Sequence, residues 1–178
     1  MGKFLAGLIM ISAIGAGLAM YYLQVYHFYE EVEATGTNDV TMVNLVTNQP
    51  EALIYDSFKA IDAESSPIRY RACFTTTLSH PVLSETYVSY DKAEPLTAPG
   101  WFDCFNAETI GAALEDGSAL AFLGQKDVIY GIDRVVAITE DGKGFVWHQI
   151  NACGEVVFDG GLAPEGCADP NAATEQGN

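Results

Sequence analysis

Residues Ile129–Ile150 read IYGIDRVVAITEDGKGFVWHQI. Two runs rich in β-branched and aromatic side chains, Ile129–Thr139 and Gly144–Ile150, flank the turn Glu140-Asp141-Gly142-Lys143-Gly144. That arrangement predicts a β-hairpin, with Gly131 bulging or dividing its first strand. Outward from it, Ala119–Leu123 is a third strand, and Ile68–Thr77 (IRYRACFTTT) alternates well enough to be a fourth. In that fourth strand Ile68, Tyr70, Ala72 and Phe74 share one face, and Arg69, Arg71 and Cys73 share the other. Asp39–Val46, Ala52–Tyr55, Tyr87–Tyr90 and Lys92–Leu96 read as further extended chain, and Ser57–Ala63 as a helical turn. Asn106–Gly117 (NAETIGAALEDG) is a helix with an Asn cap, an acidic first turn and Gly117 beyond its end. Its apolar face is Ile110, Ala113 and Leu114. Strands dominate, one soluble helix is clear, and the class is α+β with a mainly antiparallel sheet.

At the other end of the chain, Phe4–Tyr29 contains no charged residue, and Phe4–Leu23 is apolar apart from Ser12 and two tyrosines. About 20 helical residues rise about 30 Å, the thickness of a bilayer's hydrocarbon core. Lys3 precedes the run, while Glu30, Glu31, Glu33 and Asp39 follow it before the first basic residue, Lys59. Basic residues stay on the cytoplasmic side, so the remainder is expected outside. Tyr21–Tyr29 (YYLQVYHFY) forms an aromatic belt at headgroup level. The rival is a cleaved signal sequence, for which Gly17-Leu18-Ala19 supplies small residues; against it, the apolar run continues past that site into the belt. Ser12/Ala16, Ala13/Gly17 and Gly15/Ala19 place small residues at helix-packing spacing. The expected organisation is a cytoplasmic stub at 1–3, the span and belt at 4–29, a domain at 35–168, and a disordered tail at 169–178. The helix of the span is expected to run on to about Ala34, ended by Gly36.

The chain of 178 residues carries a formal charge of −16, with 24 acidic against 8 basic side chains. Phosphate binding needs a positive surface, so nucleic acid is excluded as a partner. A hydrophobic fraction of 49% excludes a disordered acidic chain. Cys73, Cys104, Cys153 and Cys167 all lie beyond the span. Four cysteines outside a membrane read as two disulfides with three pairings open, of which Cys73–Cys104 with Cys153–Cys167 close the moderate loops.

No catalytic motif stands out: G-x-S-x-G, the phosphate loop and H-E-x-x-H are all missing. The cysteines and His148 lack metal-ligand spacing, so no metal and no cofactor are expected. Asp141-Gly142-Lys143-Gly144 lacks a calcium loop's alternating oxygen ligands. His27 lies in the belt, His80 before Pro81 in a loop, and His148 on a strand, where a base would need a partner. Arg69, Arg71 and Arg134 are three of the few basic residues in an acidic domain. Together they could clamp an anion. The plainer expectation is ion pairing with the abundant Asp and Glu.

The segments RYRACFT at 69–75, GWFDC at 100–104, YGIDRVVA at 130–137 and WHQINACG at 147–154, with the YYLQVY belt, resemble an uncharacterised family. Its members are single-pass membrane proteins of Rhodobacter- and Roseobacter-like alphaproteobacteria, classed as a domain of unknown function. The resemblance covers nearly the whole chain and implies a Gram-negative inner membrane and periplasm. It supplies no activity and no site residues. A histidine-kinase label, sometimes carried by such families, has no glycine-rich nucleotide motif to stand on here. The expected role is a periplasmic accessory or interaction protein, not an enzyme, that binds or assembles a membrane complex. Its acidic surface would also suit a basic periplasmic protein. The alternatives are a sensory or anion-binding domain using the arginines and, last, an enzyme using His148.

Overall fold

In the computed structural model, which describes residues 2–36 and 38–170, a central antiparallel sheet is covered on both faces. The apolar N-terminal segment is helix α1 (Gly2–Tyr22), followed by a π-helical turn at Leu23–His27. Together they span 26 residues with mean hydropathy 2.0 and nothing buried, long and apolar enough to cross a membrane as an anchor or to serve as a signal sequence. Then come β1 (Glu30–Val32), β2 (Thr41–Val43), β3 (Pro50–Ala52), β4 (Asp56–Asp62), β5 (Arg71–Thr75), α2 (His80–Thr86) and α3 (Ala107–Asp116). The chain continues through β6 (Ala119–Ile129), β7 (Ile132–Thr139), β8 (Lys143–Ile150) and α4 (Ala152–Phe158). The large sheet has the order β1-β4-β5-β8-β7-β6, and β2 and β3 form a separate pair.

The β7–β8 hairpin is its centrepiece, with Val136 opposite Val146 and Val135 opposite Trp147. Val136, Ile138, Val146, Ala72 and Phe74 face one layer, where Val40 and Met42 around β2, Leu53 and Leu83 of α2 close over them. Val135, Ala137, Trp147 and Cys73 face the other, against Phe102, Phe105 and Ile110 of α3. Burial on both faces explains why β7 runs Val135-Val136-Ala137-Ile138 without alternation. α3 begins and ends where its sequence says. The Asn106 side chain accepts from the Thr109 amide at 2.9 Å, and Gly117 takes the left-handed conformation (φ 81°).

Several expectations are corrected. The helix does not reach Ala34: Glu30–Val32 pairs with Ala60–Asp62 as the edge strand of the sheet. The helical turn expected at Ser57–Ala63 is instead strand β4 as far as Asp62. Ser57 has φ 54° and the register shifts between Asp56 and Lys59, so a bulge hides the alternation. The strand expected at Ile68–Thr77 is confined to Arg71–Thr75, because the Arg69 amide turns back to the Ser66 carbonyl. The strand expected at Asp39–Val46 shrinks to β2, and the one expected at Ala52–Tyr55 is misplaced, sharing only Ala52 with β3. Tyr87 and Ser89 make only isolated bridges, and Lys92–Leu96 pairs with nothing regular. Two helices were not anticipated, α2 and α4. The expected tail from Asp169 falls largely on residues outside those described.

Candidate functional site

The place where the chain's parts converge is the junction of the N-terminal helix with the sheet. In the π turn the Phe28 amide bonds back five residues to the Leu23 carbonyl, at 3.1 Å. A helix end leaves carbonyls without intrahelical partners. Here Val25 O receives the Trp101 indole N–H at 2.6 Å. Tyr29 meets the Trp101 ring edge to face, with centroids 6.2 Å apart, and the Arg69 guanidinium lies 5.6 Å from the centre of the Tyr29 ring. Glu30 then opens β1, so only two residues separate the helical segment from the sheet.

Trp101 is itself held from the sheet. Segment 91–106 is tied to β5 twice, by Arg71 and by the Cys73–Cys104 disulfide. The Arg71 guanidinium, 3% exposed, donates to Leu96 O (2.8 Å) and Thr97 O (3.2 Å) in that segment. It also donates to Ile68 O (2.8 Å) and Tyr70 O (2.7 Å). Gln149 adds a third tie, donating to Lys92 O at 2.6 Å and accepting from the Glu94 amide at 2.8 Å. The second disulfide, Cys153–Cys167, closes the loop behind α4.

The structure does not bring the three sequence-predicted arginines together. Arg71 pairs across from Trp147 and stacks near Phe105 (5.7 Å), whereas Arg134 pairs across from His148 on the opposite face. Arg69 lies outside the strand, over Tyr29. Nor are they ion-paired: among the described residues the salt bridge is Lys143–Asp141, at 2.7 Å. Aromatic faces and carbonyls take the role expected of Asp and Glu. A guanidinium is weakly hydrated and delocalised, so it tolerates such surroundings where an ammonium would not. Desolvation lowers the Arg71 pKa to about 10, leaving it charged at neutral pH.

His148 is 8% exposed and stacked on Tyr70 at 4.9 Å. Its Nδ1 lies 2.7 Å from Pro67 O, which can only accept, so Nδ1 carries the proton. Nε2 then accepts from Arg134 Nε at 3.1 Å, and the Arg134 guanidinium covers the Tyr70 ring at 4.8 Å. Both ring nitrogens are engaged, so His148 positions Arg134. His80 Nε2 contacts Ile138 O at 2.9 Å from the start of α2, and His27 closes the π turn.

Burial, with the neighbouring Arg134 charge, lowers the His148 pKa to about 4. The folded state therefore favours the neutral ring. Its contribution is complete above the unfolded value of about 6.5 and is lost as pH falls from there to about 4. Urea unfolding across that window is expected to lose on the order of 3 kcal/mol, with a slope of about one proton. His148→Gln, which cannot titrate, should flatten the slope. An unchanged slope would assign it to other groups.

Sequence reasoning missed Trp101 as a junction residue. It also missed the polar network behind the β6–β7 turn, in which Asn151 donates to Asp127 and Asp133 at 3.0 and 2.9 Å and Tyr90 donates to Asp133 at 3.2 Å. The signal available was Asn151 as a helix cap. Its side chain accepts from the Cys153 and Gly154 amides.

No curated protein and no solved structure matches the chain. A family model described as a family of unknown function (DUF6446) matches residues 40–168. The match begins just before β2 and ends just past Cys167, taking in both disulfides, Arg71, Trp101 and His148. The chain therefore belongs to the DUF6446 family.

Proposed function

We propose that this protein is a single-pass, inner-membrane-anchored accessory protein. Its N-terminus is cytoplasmic, and its periplasmic domain is presented at a set orientation to a partner in a membrane complex. One observation carries the reading: the apolar helix enters the sheet without a linker, and Trp101 caps the helix from the domain side at 2.6 Å. A tether of flexible chain suffices to keep a domain near a membrane; a capped junction also conserves its direction. The lone Lys before the span, the acidic residues after it and the two disulfides support this placement.

The test is mild-detergent purification of the tagged full-length protein from its own membranes, with crosslinking and mass spectrometry. One partner complex in constant stoichiometry is expected. Trp101→Phe keeps the ring but removes the donor. It should widen the spin-label distance distribution between the helix and the domain and lower the crosslink yield severalfold, with membrane retention unchanged. A lone protein would overturn the reading.

A second reading, the anion binding expected of the arginines, rests on Arg69 Nη1, which is buried without a hydrogen-bond partner among the described residues. Phosphate should then raise the Tm, and Arg69→Ala with Arg134→Ala should abolish the rise. Equal Tm with and without phosphate in the parent protein would remove it.

A further inference from the structure

The sheet has two ends, and the apolar helix enters at one of them. The antiparallel register places Glu30 beside Asp62, Ile61 beside Arg71, Arg71 beside Trp147, and Ile150 beside Ile132 at that end. Ile129, pairing with Ile132, completes the row on the far edge. At this same end four large apolar side chains are exposed among charged ones. Ile129 is 56% exposed, Val156 39%, Phe158 53% and Leu162 93%.

These side chains belong to one built unit. The Phe158 ring lies against Gly131, and Gly131 (φ 75°) and Gly154 approach so closely that a Cβ on Gly154 would stand 2.3 Å from the Gly131 carbonyl. The Asn151 amide donates to that carbonyl, and its side chain joins the turn's Asp127 and Asp133 to the cap of α4. The Cys153–Cys167 bridge closes the segment that carries Phe158 and Leu162. A disulfide, a capped helix and a glycine contact thus hold large apolar groups out toward solvent, which costs stability unless something covers them.

We propose that this end of the domain lies on the bilayer that holds the N-terminal helix, with Ile129, Val156, Phe158 and Leu162 entering the interfacial region. The proposal rests on the reading of that helix as a membrane anchor. Continuity selects the occupant: the helix leaves the sheet from this end, and an anchored domain meets its own membrane before any other partner. The local charge selects the lipid. Asp127, Glu155, Asp159 and Glu165 outnumber Lys126 around the patch, so binding is apolar and favours a zwitterionic surface over an anionic one.

The full-length protein in phosphatidylcholine nanodiscs tests this, with an environment-sensitive fluorophore on Leu162→Cys, Ile54→Cys or Met10→Cys and both native bridges verified by mass. Ile54 is 82% exposed and bonds through its carbonyl to Thr76, at the opposite end of the sheet. Acyl-brominated lipid is expected to quench the label at 162 at least threefold more than that at 54, and anionic phosphatidylglycerol to reduce that difference. Phe158→Asp with Ile129→Asp should bring 162 down to the level of 54. Quenching at 10 with none at 162 overturns the proposal and leaves the anchor intact. Absence of quenching at 10 overturns the anchor itself. A blue-shifted but unquenched label at 162 means protein covers the patch, which also overturns the proposal.

Discussion

Replacing Cys73 and Cys104 together by alanine is expected to destabilise the domain by about 4 kcal/mol. The bridge spans 31 residues of sequence, and closing a loop of that length removes about this much chain entropy from the unfolded state. The sulfur of Cys73 also sits in the core layer with Trp147 and Phe105, so its loss leaves space that β5 and α3 must close. For a domain of this size, that corresponds to a fall in Tm of roughly 14 °C. The comparison that gives the number meaning is Cys153→Ala with Cys167→Ala. That bridge spans 14 residues and is worth about 3 kcal/mol by the same argument. Yet residues 159–166 are exposed throughout, so their release is local and should barely move the main transition. Calorimetry on both double variants decides, and equal losses would show that α4 and its loop unfold with the sheet.

Arg71→Met is expected to cost about 3 kcal/mol, because four carbonyls on two segments lose their donors while the apolar stem is kept. Arg71→Lys should recover less than half. An ammonium is a point charge with three donors and cannot span carbonyls arranged around a planar fork. Hydrogen exchange should rise in residues 91–106, since the guanidinium holds Leu96 and Thr97 there. The disturbance should reach Trp101, and with it the cap on Val25. Full recovery by lysine would mean that charge alone matters at this position, as an anion-binding role would require. Arg71 and Cys73 thus act on the junction through one segment, and their effects on the mobility of Trp101 should be less than additive.

What could be read along the chain was whatever depends on near neighbours. The β7–β8 hairpin follows from two apolar runs and an Asp-Gly turn, α3 from its Asn cap and Gly117, and the apolar helix from its length. Each is encoded within about twenty residues, where covalent proximity alone brings the partners together. Elements whose hydrogen bonds or contacts come from far away were misread. Glu30–Val32 looks like a continuing helix and becomes a strand only because Ala60–Asp62 offers it an edge. β4 carries a bulge that breaks its alternation. α2 opens on Ser79 and Pro81, a legible start that a loop reading overlooked. In α4, Gly154 argues against a helix until Gly131 is packed against it and no larger residue fits.

The arginines make the same point for the site. Sequence composition made them conspicuous as cations in an acidic domain, and the alternation put Arg71 with Cys73, which holds. Their partners were beyond its reach. An Asp or Glu is the natural partner by charge, but carboxylates are costly to bury, and the buried one, Asp133, is taken up by Asn151, Tyr90 and the Asp127 amide. Inside, Arg71 finds peptide carbonyls and Arg134 finds a histidine and a tyrosine ring. Sequence alone determined an acidic α+β domain behind one long apolar helix. Only the tertiary structure decided how the two are joined, because the cap on Val25 comes from Trp101, 76 residues away, and no local pattern records a contact made across that distance.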